Sequence, residues 1–230
     1  DAYGRGDKSV PLGTTAEVWL QKTMEAKLDC VVVTDHNSGD WIDILNDQYQ
    51  ELMNREDRPQ WFRELTLFPG IEVTVLDGQN SIPLLAVFDV SSGREAVVSF
   101  LGKCEIFSRH GDGGHLVDAL RFEDVVDTVT KMGGIAVPAR LDEDQDLLEK
   151  LNRDPAGLSK KFEGLYVTKV SNPRALDKAE GPLKKIINRL TKIMGSDSYK
   201  PEETGRLFTW IKMSRPSIEQ LELALKNQRL

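Results

Sequence analysis

The sequence predicts a single α/β domain in which helices alternate with the buried strands of a mostly parallel sheet. The chain has 230 residues, of which 40% are hydrophobic and 29% are charged, so it can bury one sizeable core. Helical patterns alternate with short apolar runs, and neither an internal repeat nor a low-complexity linker divides the chain. Seven strand candidates with short connections favour a barrel-like closure.

The chain opens with the pattern of a helix, a buried strand, a polar turn and a second helix. Thr14-Thr15-Ala16-Glu17 resembles a capped helix start, and the apolar stripe that follows ends near Lys27. The β-branched run Cys30-Val31-Val32-Val33-Thr34 predicts a strand that is covered on both faces. Asp35-His36-Asn37-Ser38-Gly39 predicts the turn, and residues 41–53 predict the second helix.

Six more strands and four more helices follow. The strands are predicted at residues 65–75, 81–90, 135–139, 165–170, 192–194 and 207–213. The helices are predicted at residues 122–132, 147–152, 182–190 and from Pro216 onward. The turn cluster Asp77-Gly78-Gln79-Asn80 makes the second and third strands a hairpin, whereas residues 102–114 are glycine-rich and predict a loop.

Charge and composition exclude several classes of protein. The net charge of −7 and the pI of about 5.1 argue against wholesale wrapping of nucleic acid, although a local basic site stays open. No apolar run approaches the roughly 18 residues that a membrane span needs. Two cysteines, Cys30 and Cys104, are too few for a disulfide framework. We therefore expect a cytoplasmic protein with no membrane partner.

Polar residues follow almost every buried run, where the carboxyl ends of parallel strands converge and chemistry collects. The residues at these positions are Asp35, His36, Arg140, Asp142, Lys169, Asn172, Ser196 and Asp197, and Glu72 joins them from within a predicted strand, just after Pro69-Gly70. Carboxylates together with an imidazole suit a divalent cation that activates water. This prediction requires Glu72 and Asp197 to face a common concavity.

Each of these residues also has a structural interpretation. His36 can satisfy backbone groups of its turn, and Asp197 can cap the turn near Lys200. Glu72 lies inside an apolar strand, where a carboxylate is costly unless it is paired.

The order of several short motifs resembles the PHP (polymerase and histidinol phosphatase) family. The closest likeness is to the PHP domain at the N-terminus of bacterial proteins that carry an SMC-like or ABC-type ATPase. The motifs are Val33-Thr34-Asp35-His36-Asn37-Ser38, Phe68-Pro69-Gly70-Ile71-Glu72, Leu84-Leu85-Ala86-Val87-Phe88, Gly133-Gly134-Ile135-Ala136-Val137-Pro138-Ala139 and Gly195-Ser196-Asp197. The resemblance implies that residues 1–230 form one distorted (β/α)7 barrel domain lacking the first strand and its His-x-His motif.

The resemblance also implies a site and a cofactor. Family members bind up to three divalent metals, here expected to be Mn, Zn, Fe or Mg, and hydrolyse phosphoesters that are often nucleotides or nucleic acids. By position, Asp1, His36, Glu72 and Asp197 match metal ligands, and the last three are also the catalytic candidates.

Three positions depart from the family pattern, which has histidine at each of them. This chain has Pro83, Arg140 and Tyr199 instead. Proline cannot ligate a metal, and arginine carries a permanent positive charge that repels a cation. We therefore expect low metal occupancy, and we expect Arg140 and Tyr199 to contact the phosphate of the substrate.

These observations leave two principal functions open. The first is a PHP-type metal-dependent phosphoesterase with a partly eroded metal site. The alternative is a catalytically degenerate domain that acts as a binding or regulatory module of a DNA- or RNA-acting ATPase in the same longer chain or complex. A hydrolase of another metal-dependent barrel family, such as an amidohydrolase, is a third and weaker interpretation.

Overall fold

The computed structural model describes residues 14–107, 115–143, 149, 153, 157, 160–198 and 200–227. The helix predicted at residues 147–152 therefore lies almost entirely outside the described residues. Asp1 and Tyr199 lie outside them as well.

Six α-helices are described along the chain. They are α1 (Ala16–Glu25), α2 (Asp40–Asn54), α3 (Gly93–Lys103), α4 (Phe122–Lys131), α5 (Gly181–Arg189) and α6 (Ile218–Lys226). Hydroxyl caps fix two of the starts, because Thr15 Oγ1 accepts from the Val18 amide at 3.2 Å and Ser217 Oγ accepts from the Gln220 amide at 3.4 Å. Short 3-10 turns occur at Val90–Ser92, Pro173–Lys178 and Pro201–Glu203.

Six strands form the sheet structure of the described residues. They are β1 (Cys30–Val33), β2 (Thr66–Asp77), β3 (Asn80–Val87), β4 (Ile135–Pro138), β5 (Val167–Lys169) and β6 (Thr191–Ile193). The first four form one sheet in the order β1-β2-β3-β4, and β5 pairs with β6 in a second. An isolated bridge between Ala139 and Lys169 joins the end of β4 to β5.

Strand directions make this a mixed sheet and not a mostly parallel one. The pairs β1·β2 and β5·β6 are parallel, whereas β2·β3 and β3·β4 are antiparallel. The predicted hairpin is present, with Asp77 paired to Asn80 across the turn. A closed barrel is not confirmed, because the strands of the described residues form an open sheet and a two-stranded pair.

The prediction of a last strand at residues 207–213 is wrong. This segment is irregular and is held to the end of β6 mainly by side-chain hydrogen bonds of Ser196 and Thr209. Its apolar residues resemble a strand pattern, but Phe208 and Trp210 are exposed.

Both faces of the sheet are buried. In β3, Leu84 and Ala86 belong to the larger core cluster, whereas Leu85 and Val87 face a second cluster that includes Leu221 of α6. This alternation follows from the two-residue period of a strand. Within the described ranges, no helix combines the length and the apolar character that crossing a membrane would need.

One glycine allows the strands to approach each other closely. A Cβ at Gly70 would lie 2.7 Å from Val32 Cγ1 and 3.0 Å from the carbonyl oxygen of Ala86. A side chain at this position would therefore force β2 away from its neighbours, just before Glu72.

Candidate functional site

The first part of the site is built where the parallel pairing of β1 and β2 resumes beyond Thr34. The Glu72 amide donates to the Asp35 carbonyl at 3.1 Å, and the Asn37 amide donates to the Glu72 carbonyl at 3.0 Å. This bridge sets His36 directly opposite Glu72, with His36 Nε2 at 3.6 Å from Glu72 Oε2. The Glu72 side chain is only 5% exposed, so its charge depends on protein partners.

Arg140 supplies the principal partner from the end of β4. Ala139 forms an isolated bridge with Lys169, and Arg140 is the next residue in the chain. Its Nη2 atom lies 3.4 Å from Glu72 Oε1 and 3.4 Å from Asp197 Oδ2. Glu72 Oε1 and Asp197 Oδ2 therefore contact the same nitrogen atom of Arg140. The distance between these two oxygen atoms cannot exceed the sum of the two contact distances.

Lys169 completes the cluster from the end of β5. Its Nζ atom lies 3.4 Å from Asp197 Oδ2, and its side chain is 12% exposed. A Cβ at Gly195, which follows Met194 after β6, would lie 3.6 Å from the Lys169 Cε atom, so the lysine runs along this part of the chain. Asp197 thus contacts two cations with one oxygen atom.

Three residues around the cluster have a left-handed backbone conformation. Asn37, Arg140 and Asp197 have φ angles of 50°, 57° and 51°, and each follows the carboxyl end of a strand. Asparagine and aspartate adopt this region more readily than most residues, whereas for arginine it is uncommon. Such conformations collect at functional sites, where the surrounding structure imposes them.

The four charged residues of the cluster are electrically balanced. Glu72 and Asp197 contribute two negative charges, and Arg140 and Lys169 contribute two positive charges. We call these four residues the charge cluster. All three of its ion pairs are 3.4 Å long, whereas charge-assisted hydrogen bonds are typically about 2.7–2.9 Å.

The residues of this site do not fit a divalent metal cluster. A metal at the Glu72 and Asp197 carboxylates would sit beside the positive charges of Arg140 and Lys169, which repel a cation. Among the described residues, no group of three or more His, Cys, Asp or Glu side chains could hold a metal ion. The described residues alone therefore do not provide a divalent metal cluster, and the metal occupancy of the protein stays a prediction.

Most of the residues that the sequence places at this mouth do lie together. His36, Glu72, Arg140 and Asp197 form one chain of contacts, although their catalytic and ligand roles stay predictions. Asp1 and Tyr199 lie outside the described residues. Lys169 is a strand-end residue that the predicted ligand and phosphate sets leave out, and its position after an apolar run was the available signal.

Asp142 does not belong to the charge cluster, and its carboxylate binds backbone amides instead. Its Oδ2 atom accepts from the amides of Ser171 at 2.7 Å and Asn172 at 2.5 Å. These bonds tie the chain after β4 to the chain after β5. Asp142 therefore supports the site from the side and has a structural role.

No protein-family model matches the sequence, and no curated protein matches it significantly. Solved structures do show similarity. A Bifidobacterium adolescentis protein, described provisionally as a metal-dependent phosphoesterase, matches at 15% identity with a TM-score of 0.53, covering 93% of this chain and 91% of that one. At this identity the similarity shows a common fold.

A second similar structure is an amidohydrolase from Chromobacterium violaceum with bound sulfate and no metal. It has 17% identity and a TM-score of 0.47, and the match covers 84% of this chain and 85% of that one. The first of these matches, to the Bifidobacterium adolescentis protein, shows the common fold, which is a mixed α/β domain.

Proposed function

We propose that this domain binds the phosphate group of a ligand through Arg140 and Lys169, without a metal ion and without hydrolysing it. One observation carries the proposal: the guanidinium of Arg140 lies at 3.4 Å from both Glu72 and Asp197, where a metal-dependent site would use these carboxylates as ligands. The fixed guanidinium of Arg140 therefore substitutes for an exchangeable metal ion at these carboxylates.

Arg140 is the more accessible of the two cations, since the Lys169 side chain is 12% exposed. The Arg140 side chain is 28% exposed, so a ligand can reach the guanidinium, and its planar donors match the geometry of a phosphate. A dianionic phosphate would add negative charge to a balanced cluster, and we therefore expect moderate affinity.

Phosphoester hydrolysis is less well supported by the same geometry. Divalent metals accelerate this reaction by generating hydroxide and by neutralising the charge on the phosphoryl oxygens. His36 and Glu72 remain as an imidazole and carboxylate pair, but Arg140 competes for the same carboxylate. We therefore favour the binding module over the phosphoesterase.

The ligand and the partner are part of this proposal. The family resemblance supports a nucleotide or nucleic acid as the phosphate-bearing ligand, and Tyr199 as a further phosphate contact. It also supports a DNA- or RNA-acting ATPase in the same longer chain or complex as the partner that the module serves. The net charge of −7 favours a local contact over an extended nucleic-acid surface.

Calorimetric titration with inorganic phosphate in the presence of a chelator tests the proposal. We expect wild-type protein to bind phosphate, and Arg140→Gln to weaken binding at least tenfold, since a hydrogen bond to a charged group contributes about 1.5–3 kcal/mol. Arg55→Gln is a matched control, because Arg55 also contacts two carboxylates and its side chain is 34% exposed. Lys169→Gln is a second test variant if Arg140→Gln unfolds.

Two results would overturn the proposal. One is the absence of phosphate binding to wild-type protein under these conditions. The other is two or three tightly held Mn, Zn or Fe ions per chain together with turnover of an aryl phosphodiester, which would establish the metal-dependent enzyme instead.

A further inference from the structure

We infer that residues 207–213 form an edge through which two copies of this chain dimerise, by antiparallel pairing about Trp210. These residues alternate between half-buried and exposed over the whole segment. A two-residue period of burial indicates an extended backbone with one covered face. The inference does not depend on the proposed function.

The two faces of this segment have different surroundings. Ile211 and Met213 pack against the smaller apolar cluster, which includes Leu221 of α6. Phe208 and Trp210 are 45% and 85% exposed, and their rings meet edge to face with centroids 5.6 Å apart. The segment therefore has the burial pattern of a strand, with one face on the core and large aromatic side chains on the other.

The backbone of the segment has no ladder partner in the part of the chain that the structure describes. None of its amides or carbonyls makes a backbone–backbone hydrogen bond there. Side chains hold it instead: Thr209 Oγ1 accepts from the Met194 amide at 2.7 Å, and Ser196 Oγ donates to the Leu207 carbonyl at 3.1 Å. Because backbone amides and carbonyls need hydrogen-bond partners, this edge can accept a further strand in place of water.

The edge that is available points away from Ser196. In an antiparallel ladder the amide and the carbonyl of one residue point to the same edge, and the direction alternates from residue to residue. The Leu207 carbonyl points toward Ser196, whose hydroxyl donates to it. The opposite edge therefore carries the backbone groups of Phe208, Trp210 and Lys212. Two strands that pair through these residues exchange about six hydrogen bonds.

This edge lacks two features that keep the edge strands of monomeric proteins apart. Such strands are commonly protected by proline or by several charged side chains. Residues 207–213 contain no proline, and Lys212 is their only charged residue. Phenylalanine, threonine, tryptophan and isoleucine, which favour strands, make up most of the rest. The segment is therefore suited to strand pairing.

A second copy of the same segment is the partner that this edge fits. With a twofold axis at Trp210, the midpoint of the segment, the two Trp210 side chains lie opposite each other and Phe208 lies opposite Lys212 of the second copy. Aromatic pairs and cation–aromatic pairs at such positions stabilise a sheet. An axis at Thr209 would instead set Arg206 opposite Lys212, and like charges directly opposite are destabilising. The segment is thus complementary to itself about Trp210, as a twofold dimer requires.

Sedimentation equilibrium tests the dimer. We expect wild-type protein to dimerise with a Kd on the order of 10 μM, since a single pair of strands is a small interface. Trp210→Lys and Trp210→Glu should each weaken dimerisation at least tenfold, because like charges then lie opposite each other at the twofold axis. An equimolar mixture of these two variants should form a heterodimer. Ile44→Lys is the matched control, since it adds a charge at a side chain of α2 that is 41% exposed.

Disulfide formation tests the register of the two strands. The Cα atoms of a hydrogen-bonded antiparallel pair are about 5.5 Å apart, which a disulfide can span. Trp210→Cys should therefore form a disulfide between two copies through position 210, identified by peptide mapping, and Ile44→Cys should form none through position 44.

Three results would overturn the dimer. They are wild-type protein that stays monomeric at about 1 mM, a dimer that Trp210→Lys leaves unchanged, and a mixture of Trp210→Lys with Trp210→Glu that stays monomeric. Each of these results would leave the proposed phosphate binding at Arg140 standing, because calorimetry with phosphate measures that binding separately.

Discussion

Two arginines of this protein each contact two carboxylates, and a comparison between them separates a surface ion pair from a site. Arg55, at the end of α2, contacts Glu17 at 3.4 Å and Glu51 at 2.8 Å. The side chains of these two partners are 40% and 59% exposed. All three residues belong to helical surfaces, where water can replace any lost contact.

Arg140 makes longer contacts in drier surroundings. Its pairs with Glu72 and Asp197 are both 3.4 Å long, and the Glu72 side chain is 5% exposed. The shorter ion pair of Arg55 is therefore not the one whose loss costs more stability. Desolvation of the carboxylate, and not the length of the pair, decides what the loss of the arginine costs.

The largest expected difference between the two arginines is in stability. Arg140→Met should lower the free energy of unfolding by about 2 kcal/mol, because it leaves the buried Glu72 charge with His36 as its remaining partner in the ion-pair chain. Breaking a fully buried pair costs about 3–5 kcal/mol, and partial exposure of Arg140 and Asp197 reduces this value. Arg55→Met should leave the urea midpoint unchanged. Urea denaturation of both variants provides the measurement.

A double variant controls for lost packing. Arg140→Met combined with Glu72→Gln should recover most of the loss, because the uncompensated charge is gone. If Arg140→Met and Arg55→Met were equally stable, the distinction between the two arginines would be wrong.

The next effect concerns zinc. Arg140→His should raise the affinity for Zn²⁺ at least tenfold, because it removes the permanent charge and adds an imidazole beside Glu72, Asp197 and His36. Arg55→His is the control. Arg55 also contacts two carboxylates, but the ion pairs described around it include no histidine. Calorimetry with ZnCl2 measures both. Tight zinc binding by wild-type protein would contradict the role that we assign to Arg140.

The smallest effect concerns Asp89, a carboxylate held by neutral donors. It accepts from the Ser91 hydroxyl at 2.6 Å, from the Ile218 amide at 3.1 Å and from the Ser91 amide at 2.9 Å. These hydrogen bonds hold the pKa of Asp89 below its ordinary value of 3.8. Asp89→Asn should therefore cost about 1 kcal/mol or less at pH 7, mostly through the anchoring of α6.

The pH dependence of this loss has a defined sign. The native pKa lies below the unfolded one, so the carboxylate stabilises the fold above pH 3.8 and this contribution disappears as the pH falls through the native pKa. Urea midpoints of wild-type protein and Asp89→Asn should converge in acid. A difference that widened below pH 4 would show that other groups dominate.

Local patterns predicted the hairpin and the residues of the site better than they predicted the sheet. The β2–β3 turn carries a strong local signal at Asp77-Gly78-Gln79-Asn80, and a two-residue connection determines its antiparallel register. His36, Arg140 and Asp197 were identified because polar residues follow apolar runs, and Glu72 because a carboxylate inside an apolar strand is unusual. The directions of the other strands depend on pairings between distant segments, which short apolar runs do not specify.

Two features of the structure could not be predicted from such patterns. Nothing local indicates that the Arg140 guanidinium lies between Glu72 and Asp197, which are 68 and 57 residues away in the chain. The segment with Phe208 and Trp210 was misassigned to a strand for a related reason. Alternation at residues 207–213 resembles a strand, but the side-chain bonds of Ser196 and Thr209 already hold this segment without a ladder.

The sequence by itself determined which residue types end each strand, because periodicity and turn chemistry are local properties. It also showed Pro83, Arg140 and Tyr199 at positions where the pattern that it resembles has histidines. Only the tertiary structure decided that Arg140 and Lys169 neutralise Glu72 and Asp197, and that Phe208 and Trp210 are exposed on an irregular segment. The physical reason is that burial and ion pairing are set by segments that meet in space, and their distance along the chain carries no signal of that meeting.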